Sequence, residues 1–308
     1  MHVPVLLNEV LEYLDPQPGD FIIDGTIDGG GHAGAILERI GPAGMFLGLD
    51  WDPELLKSCE ERLAGEGKIG VRRSSKVFLV QGNYAELPAI LKEKKMPLAD
   101  GLLLDLGFSS EQLASSGRGF SFLKDEPLLM IYDDSRMPVR EILKKLSERE
   151  LAQILRDYGG ERLAGRIAKA IIGQERRKLI ATSGELAETV RAAVPKNYER
   201  GRIDPATRTF QALRIFANGE LENLSRILGC LEAVVRPGGR VAIISFHSLE
   251  DRIVKQAFQK MKKEAIAGIL TKKPVIATAE EMKKNPRSRS AKLRAIKMIS
   301  DSRHSASH

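Results

Sequence analysis

The feature that most limits how this 308-residue chain can fold is an alternation that starts, breaks off and starts again. Short apolar runs at 20–24 (DFIID), 45–49 (MFLGL), 77–80 (VFLV) and 100–104 (DGLLL) are separated by helical patterns near 32–40, 53–64 and 84–95. Runs this apolar suit strands covered on both faces, and helices between successive strands make their sheet parallel. From Leu113 to Thr207 the strand signal vanishes. Apolar residues there fall at helical spacing, and Ser147 with Glu150 three residues on reads as a capping box. Strand character returns at 240–246 (RVAIISF), followed by a helical pattern at 249–263 and a last strand at 291–299 (AKLRAIKMI). The expected architecture is an α/β domain formed by residues 1–112 and 208–308, interrupted by an inserted helical domain over 113–207.

With 43% hydrophobic and 29% charged residues, a chain of this length can bury a large core. No stretch approaches the roughly 18 uninterrupted apolar residues of a membrane span. The N-terminus lacks a basic leader, and Asn8 and Glu9 break its apolar run, so a cytoplasmic protein with no membrane partner is expected. Cys59 and Cys230 form neither a CxxC pair nor a metal-ligand spacing, which predicts a reducing compartment and no metal. Charge is segregated. Residues 1–112 carry 10 basic against 18 acidic side chains, and residues 236–308 carry 17 against 6. A basic C-terminal third, with Lys283, Lys284, Arg287 and Arg289 close together, suits a polyanion such as RNA; the alternative is a solvated surface.

The stretch FIIDGTIDGGGHAGAILERI, Phe21 to Ile40, carries an apolar run into an acid, then into glycines, then into a helix. Gly29, Gly31 and Gly34 fit G-x-G-x-x-G, and Asp50 ends the next strand, the pattern of a dinucleotide site. Asp24 argues against one, because it ends the strand where it would repel a pyrophosphate. A ligand with a cationic amine fits better, and S-adenosylmethionine has the matching parts. Glycines admit its backbone-facing edge, the helix start near His32 offers N–H groups to its carboxylate, and Asp50 can accept both ribose hydroxyls. Trp51 either lies against the adenine or fills core. The other reading of the loop is a tight turn without a ligand.

Two more polar stretches follow expected strands. LLLDLGFSSEQL places Asp105, Ser109, Ser110 and Gln112 after the fourth, and RPGGRVAIISFHSLEDR places Ser245, His247 and Ser248 after the fifth. Ligands of open α/β sheets bind outside the carboxyl ends of strands, so these groups would converge on the cofactor. Alternatively, Asp105 caps a helix and His247 is satisfied in a turn.

The motifs HVPVLLNEVL, IDGTIDGGGHA, DGLLLDLGFSSEQL, RGFSF, YGGERLAGRIAKAI, DPATRTFQALRIFANGELENL, PGGRVAIISFHSLEDR and NPRSRSAKLRA occur here in one order, from His2 to about Ile299. In this the chain resembles the bacterial small-subunit ribosomal RNA cytosine-N4 methyltransferase family. The resemblance implies a seven-stranded Rossmann-like methyltransferase fold whose helical insertion helps bind RNA. It also implies methyl transfer from S-adenosylmethionine to a cytidine amine near the decoding centre. The partner would be small-subunit ribosomal RNA or an assembling 30S particle; a homodimer is left open. Carried over, the family's cofactor contacts fall on Gly30, Gly31, His32, Asp50, Tyr84, Asp105 and Gln112. Tyr84 is also readable as a half-buried core aromatic. For the chemistry, Asp105 is the first candidate to accept the amine proton, and His247 and Ser245 are candidates to position the base.

Departures from the resemblance are local. Asp28 stands for a usual glycine, Ala33 for a serine and Ala114 for an aspartate. In EPLLMIYDD, 126–134, Leu129 and Ile131 occupy the positions of an acid and an arginine. These two leave open a catalytically weak relative that binds cofactor and RNA. A nicotinamide oxidoreductase rests on G-x-G-x-x-G alone.

Overall fold

The computed structural model describes residues 4–65, 76–107, 117–198 and 203–299, and these divide into two compact units. Unit 1 comprises Met1–Gly107 with Leu221–His308, and unit 2 comprises Phe108–Glu220. The expected insertion boundaries, 113 and 207, fall inside these limits. The later exit has a physical cause, because the helix Thr207–Asn218 buries Phe210, Ala212 and Leu213 in the core of unit 2.

Unit 1 is a seven-stranded sheet in the order β3-β2-β1-β4-β5-β7-β6. Its strands are β1 (Phe21–Asp24), β2 (Met45–Asp50), β3 (Lys76–Gln81), β4 (Ala99–Asp105), β5 (Val235–Ser245), β6 (Ala267–Ile269) and β7 (Lys292–Met298). β1 to β5 are parallel, and β7 runs antiparallel between β5 and β6. β1 and β4 are almost wholly buried because helices cover both faces. Helices α1 (Leu7–Leu14) and α2 (Gly31–Ile40) pack Val10, Leu14, Ile36 and Ile40 on one face, against Ile22, Phe46, Leu103 and Ile244. The other face carries Ile23, Leu47, Leu102 and Ile243 against α4 (Leu87–Glu93), α10 (Glu220–Leu228) and α11 (Ser248–Lys263). α3 (Pro53–Gly65) connects β2 to β3.

The helix expected over 84–95 is a 3-10 turn at Tyr84–Glu86 followed by α4. Pro88 lacks an N–H and fits only the first turn of a helix, so α4 starts there. β6 escaped the sequence pattern because three residues, Ala-Gly-Ile, make no apolar run. After β3 the chain places β4 on the far side of β1. The crevice at the carboxyl ends of β1 and β4 is thus a topological switch point, where open α/β sheets bind ligands.

Unit 2 is built on α5 (Val139–Lys145), α6 (Glu148–Gly159), α7 (Ala164–Arg177), α8 (Ser183–Ala193) and α9 (Thr207–Asn218). The expected capping box forms: Ser147 Oγ accepts from Glu150 N at 3.2 Å, and Glu150 Oε2 accepts from Ser147 N at 2.8 Å. The segment holding Leu129 and Ile131 is packed into this unit's core. Leu128 and Met130 are fully buried, Ile131 is 3% exposed, and Leu129 lies half-buried against them. Met130 N donates to Arg118 O at 2.7 Å, and Met130 O accepts from Asn218 Nδ2 at 2.8 Å. Apolar contacts therefore occupy the places that the resemblance gives to an acid and an arginine.

Candidate active site

Side chains alternate along a strand, and this decides which strand-end residues meet. Asp24, Asp50 and Asp105 end β1, β2 and β4 in phase with Ile22, Phe46 and Leu103, so all three leave the same face of the sheet. Ser245 ends β5 in phase with Ile243 and leaves the opposite face. Its hydroxyl lies 3.4 Å from the Lys292 carbonyl, as donor. The structure thus brings together three acids and sets Ser245 apart from them, contrary to the convergence expected of it.

The turn after β1 closes the floor of this crevice. Thr26 N donates to Asp24 Oδ1 at 3.1 Å, and Thr26 Oγ1 accepts from Asp105 N at 2.6 Å, which fastens the ends of β1 and β4 together. Asp28 opens a 3-10 turn, Asp28–Gly30, and its N–H donates to Asp50 Oδ2 at 3.2 Å. Asp28 has φ 37°, in the left-handed region that short polar side chains tolerate. Gly30 has φ 83°, and a Cβ there would lie 2.8 Å from Cys59 Sγ, so only glycine fits between this turn and α3. Gly31 then begins α2, whose first N–H groups have no partner within the helix and receive no side-chain cap from Gly30. Arg62 Nη1 holds the Gly29 carbonyl at 2.7 Å from behind.

His32 is 5% exposed. Its Nε2 donates to the Val5 carbonyl at 2.9 Å, which sets the tautomer, and its Nδ1 lies 3.8 Å from Asp105 Oδ2. Asp50 is half-buried, and its second oxygen accepts from Asp52 N at 3.0 Å. Trp51 is half-buried beside it.

Burial raises all three acids. Burial pushes Asp105 up to about 8, with Asp28 and Asp24 adding to the rise, while the Gly107 N–H and the Arg287 guanidinium oppose it. Burial pushes Asp24 up to about 7, opposed by the Thr26 N–H and reinforced by Asp28. Burial does the same to Asp50, up to about 7, against the Asp52 N–H and again with Asp28 reinforcing. A crevice in which three carboxyls resist ionising favours a ligand that brings positive charge.

The other expected residues lie in the core, at a helix cap or outside the described residues. Tyr84 is 8% exposed within the other apolar layer, and a Cβ on Gly25 would come within 3.1 Å of its own Cβ. Tyr84 therefore packs in that layer and against the first residue of the turn after β1. His247 caps α11: its Nδ1 accepts from Glu250 N at 3.4 Å, and its Nε2 approaches Glu250 Oε1 at 3.0 Å. Nδ1 thus serves the cap, whereas the buried Nε2 faces the Glu250 carboxylate without making a hydrogen bond among the described residues. Gln112 lies outside the described residues, as do Ser109 and Ser110. Sequence reasoning overlooked Thr26 and the Val5 carbonyl; a backbone carbonyl carries no sequence signal. It also placed Arg287 only in a basic patch. Residues Pro286–Ser290 lead into β7, whose first residue pairs with Ser245, so Arg287 stands at the ligand-binding ends of the strands.

The MraW methylase family model matches residues 1–299. The ribosomal RNA small subunit methyltransferase H of Syntrophotalea carbinolica is 45% identical, over 97% of this chain and 98% of that protein. Those of Syntrophus aciditrophicus and Symbiobacterium thermophilum are 43% and 42% identical, over 97% and 96% of this chain and 98% and 96% of theirs. No described helix is long and apolar enough to cross a membrane. Because the match runs through both units, taking in the glycine turn and all three strand-end acids, the chain belongs to the MraW methylase family.

Proposed function

We propose that this protein methylates the N4 amine of a cytidine in small-subunit ribosomal RNA, in the cytoplasm, using S-adenosylmethionine. The observation that carries the reading is the convergence of Asp24, Asp50 and Asp105 beside a glycine turn at the switch point, in a chain 45% identical to a ribosomal RNA small subunit methyltransferase. The crevice fits the cofactor. Acids that resist ionising suit its cationic sulfonium and amine, the Gly30 turn leaves no side chain in the way, and the start of α2 offers N–H groups to a carboxylate. A dinucleotide pyrophosphate would meet Asp24 and Asp28 instead, which argues against a nicotinamide enzyme.

When bound, S-adenosylmethionine supplies an electrophilic methyl group. The protein's part is to position the amine and take its proton. The lone pair of cytosine N4 is delocalised into the ring, and an acceptor on its N–H concentrates electron density on nitrogen. Asp105 is the group we assign to this task, since it ends the strand beside β1 and its Oδ2 stands near His32. Asp50 would accept the ribose hydroxyls, with Gly30, Gly31, His32 and Gln112 completing the cofactor contacts. Unit 2 would hold substrate RNA. The target base must leave any stack to enter such a crevice.

The test is methyl transfer to small-subunit particles from a strain lacking the enzyme, with N4-methylcytidine read by mass spectrometry. Absence of that product from active particles would overturn the reading. In calorimetry, Asp50→Ala is expected to weaken S-adenosylmethionine binding by about 1.5–3 kcal/mol, while NAD gives no signal with either protein. Unchanged affinity in a folded variant would remove Asp50 from the site.

The basic C-terminal residues near the strand ends give a second measurement. Replacing Lys283, Lys284, Arg287 and Arg289 together by Ala is expected to flatten the salt dependence of RNA binding by about 0.7–0.9 per lost phosphate contact. A salt slope that does not move would mark them as solvated surface; Lys284 already pairs with Glu280 at 2.7 Å.

A further inference from the structure

α7 divides its residues between two faces with little overlap. Ala164, Ile167, Ala168, Ile171 and Ile172 are buried in the core of unit 2, the spacing of one helical face. At 100° per residue, the outward arc holds Gly165, Arg166, Lys169, Gly173, Arg176 and Arg177. It therefore carries four cations and two glycines, and no acid. Glu175, the acid within α7, lies on the core side, where its Oε2 accepts from Ile180 N at 2.8 Å. Among the described residues, Arg166, Lys169, Arg176 and Arg177 make no ion pair, whereas Lys178 just beyond them is held by Glu185 at 2.7 Å.

The glycines are the telling part. Each lowers helix stability where alanine would raise it. Neither is excused by packing, since a Cβ at Gly165 or Gly173 would meet nothing within 4 Å. Among the described residues of unit 2, nothing requires a bare backbone at these points. A polyanion lying along the helix would gain from it, because missing side chains let phosphates approach the axis between flanking cations. From Arg166 to Arg177 the arc spans roughly 16 Å at 1.5 Å per residue, room for several phosphates.

We infer that the outward face of α7 is a docking surface for the phosphodiester backbone of the substrate RNA, with Arg166, Lys169, Arg176 and Arg177 as phosphate contacts and Gly165 and Gly173 as points of close approach. The inference rests on the RNA substrate of the proposed function. It adds where on the helical unit that RNA lies and predicts no base selectivity from this face, since phosphate contacts position without specifying sequence.

Two variants test it on the full-length protein, with transcribed small-subunit ribosomal RNA as the probe. In the first, Arg166→Ala, Lys169→Ala, Arg176→Ala and Arg177→Ala are combined. RNA binding should weaken, and its salt slope should fall by about three in total, at 0.7–0.9 per contact. S-adenosylmethionine affinity should not change. In the second, Gly165→Gln and Gly173→Gln are combined. Gln favours helix more than Gly, so Tm should rise while RNA affinity drops, opposite signs that a purely structural role does not produce. If the first variant keeps wild-type affinity and slope, or the second gains Tm without losing affinity, the inference is overturned while the proposed methyl transfer stands. If the wild-type protein itself binds no small-subunit RNA, the substrate reading fails and the inference with it.

Discussion

Replacing Asp105 by Asn is expected to lower methyl transfer by roughly a hundred- to ten-thousand-fold, the usual contribution of a positioned proton acceptor. The side chain keeps its size, and the amide cannot take a proton from N4. A pH profile separates this from a misfolded crevice. In the wild type, burial with Asp28 and Asp24 holds Asp105 at about 8, so below that pH the carboxyl is largely protonated and cannot accept. The free enzyme's pKa governs kcat/KM for S-adenosylmethionine, so that quantity should rise with pH through about 8, and the Asn variant should lack that rise. Stability runs the other way. A carboxyl whose folded pKa is raised stabilises fully below its unfolded pKa, about 3.9, and this contribution is lost as pH rises through about 8. Ligand-free wild-type protein should lose Tm over that window, and Asp105→Asn should lose less. A wild-type kcat/KM that stays flat across pH 6–9 while the variant remains active would remove Asp105 from the chemistry.

The second large effect concerns unit 2. Combining Leu129→Asp with Ile131→Arg restores the residue types implied by the resemblance, yet it is expected to destabilise the protein by about 3–5 kcal/mol in urea unfolding. Ile131 is 3% exposed among Leu128, Met130 and Val139, where a guanidinium finds no water and no apolar room. Wild-type transfer should meanwhile be ordinary for the family, since packing has replaced the charge pair. A double variant that stays stable and transfers faster would show instead that the wild-type segment is functionally impaired.

The parallel strands of the sheet were legible because they are buried on both faces, and burial on both faces writes itself as an apolar run. Asp24, Asp50 and Asp105 were legible as strand-end acids for the same reason, each closing such a run. What alternation along the strands decides was harder to see. Ser245 and Asp105 both follow apolar strands, and only the register of β4 against β5 with the burial of Ile243 and Leu103 shows that they leave opposite faces. His247 invited a chemical reading because nothing in SFHSLED distinguishes a capping histidine from a base until Glu250 is seen to reach back to it. Leu129 and Ile131 drew attention as substitutions at charged positions, and only their packing shows what they do there.

The placement of unit 2 between β4 and β5 also bears on how the chain acquires its structure. Asp105 pairs with Ile244, so these two neighbouring strands meet only after everything from Phe108 to Glu220 has been looped out. Closing a loop costs entropy that grows by about 0.6 kcal/mol for each doubling of its length. The helical unit is rich in short-range contacts, the kind that form quickly, and its own core needs nothing from the sheet. Collapse of that unit shortens the effective tether before β5 arrives. Folding from the inserted part outward would thus make the longest-range pairing in the sheet less costly, and the helical unit serves assembly of the crevice before any RNA is present.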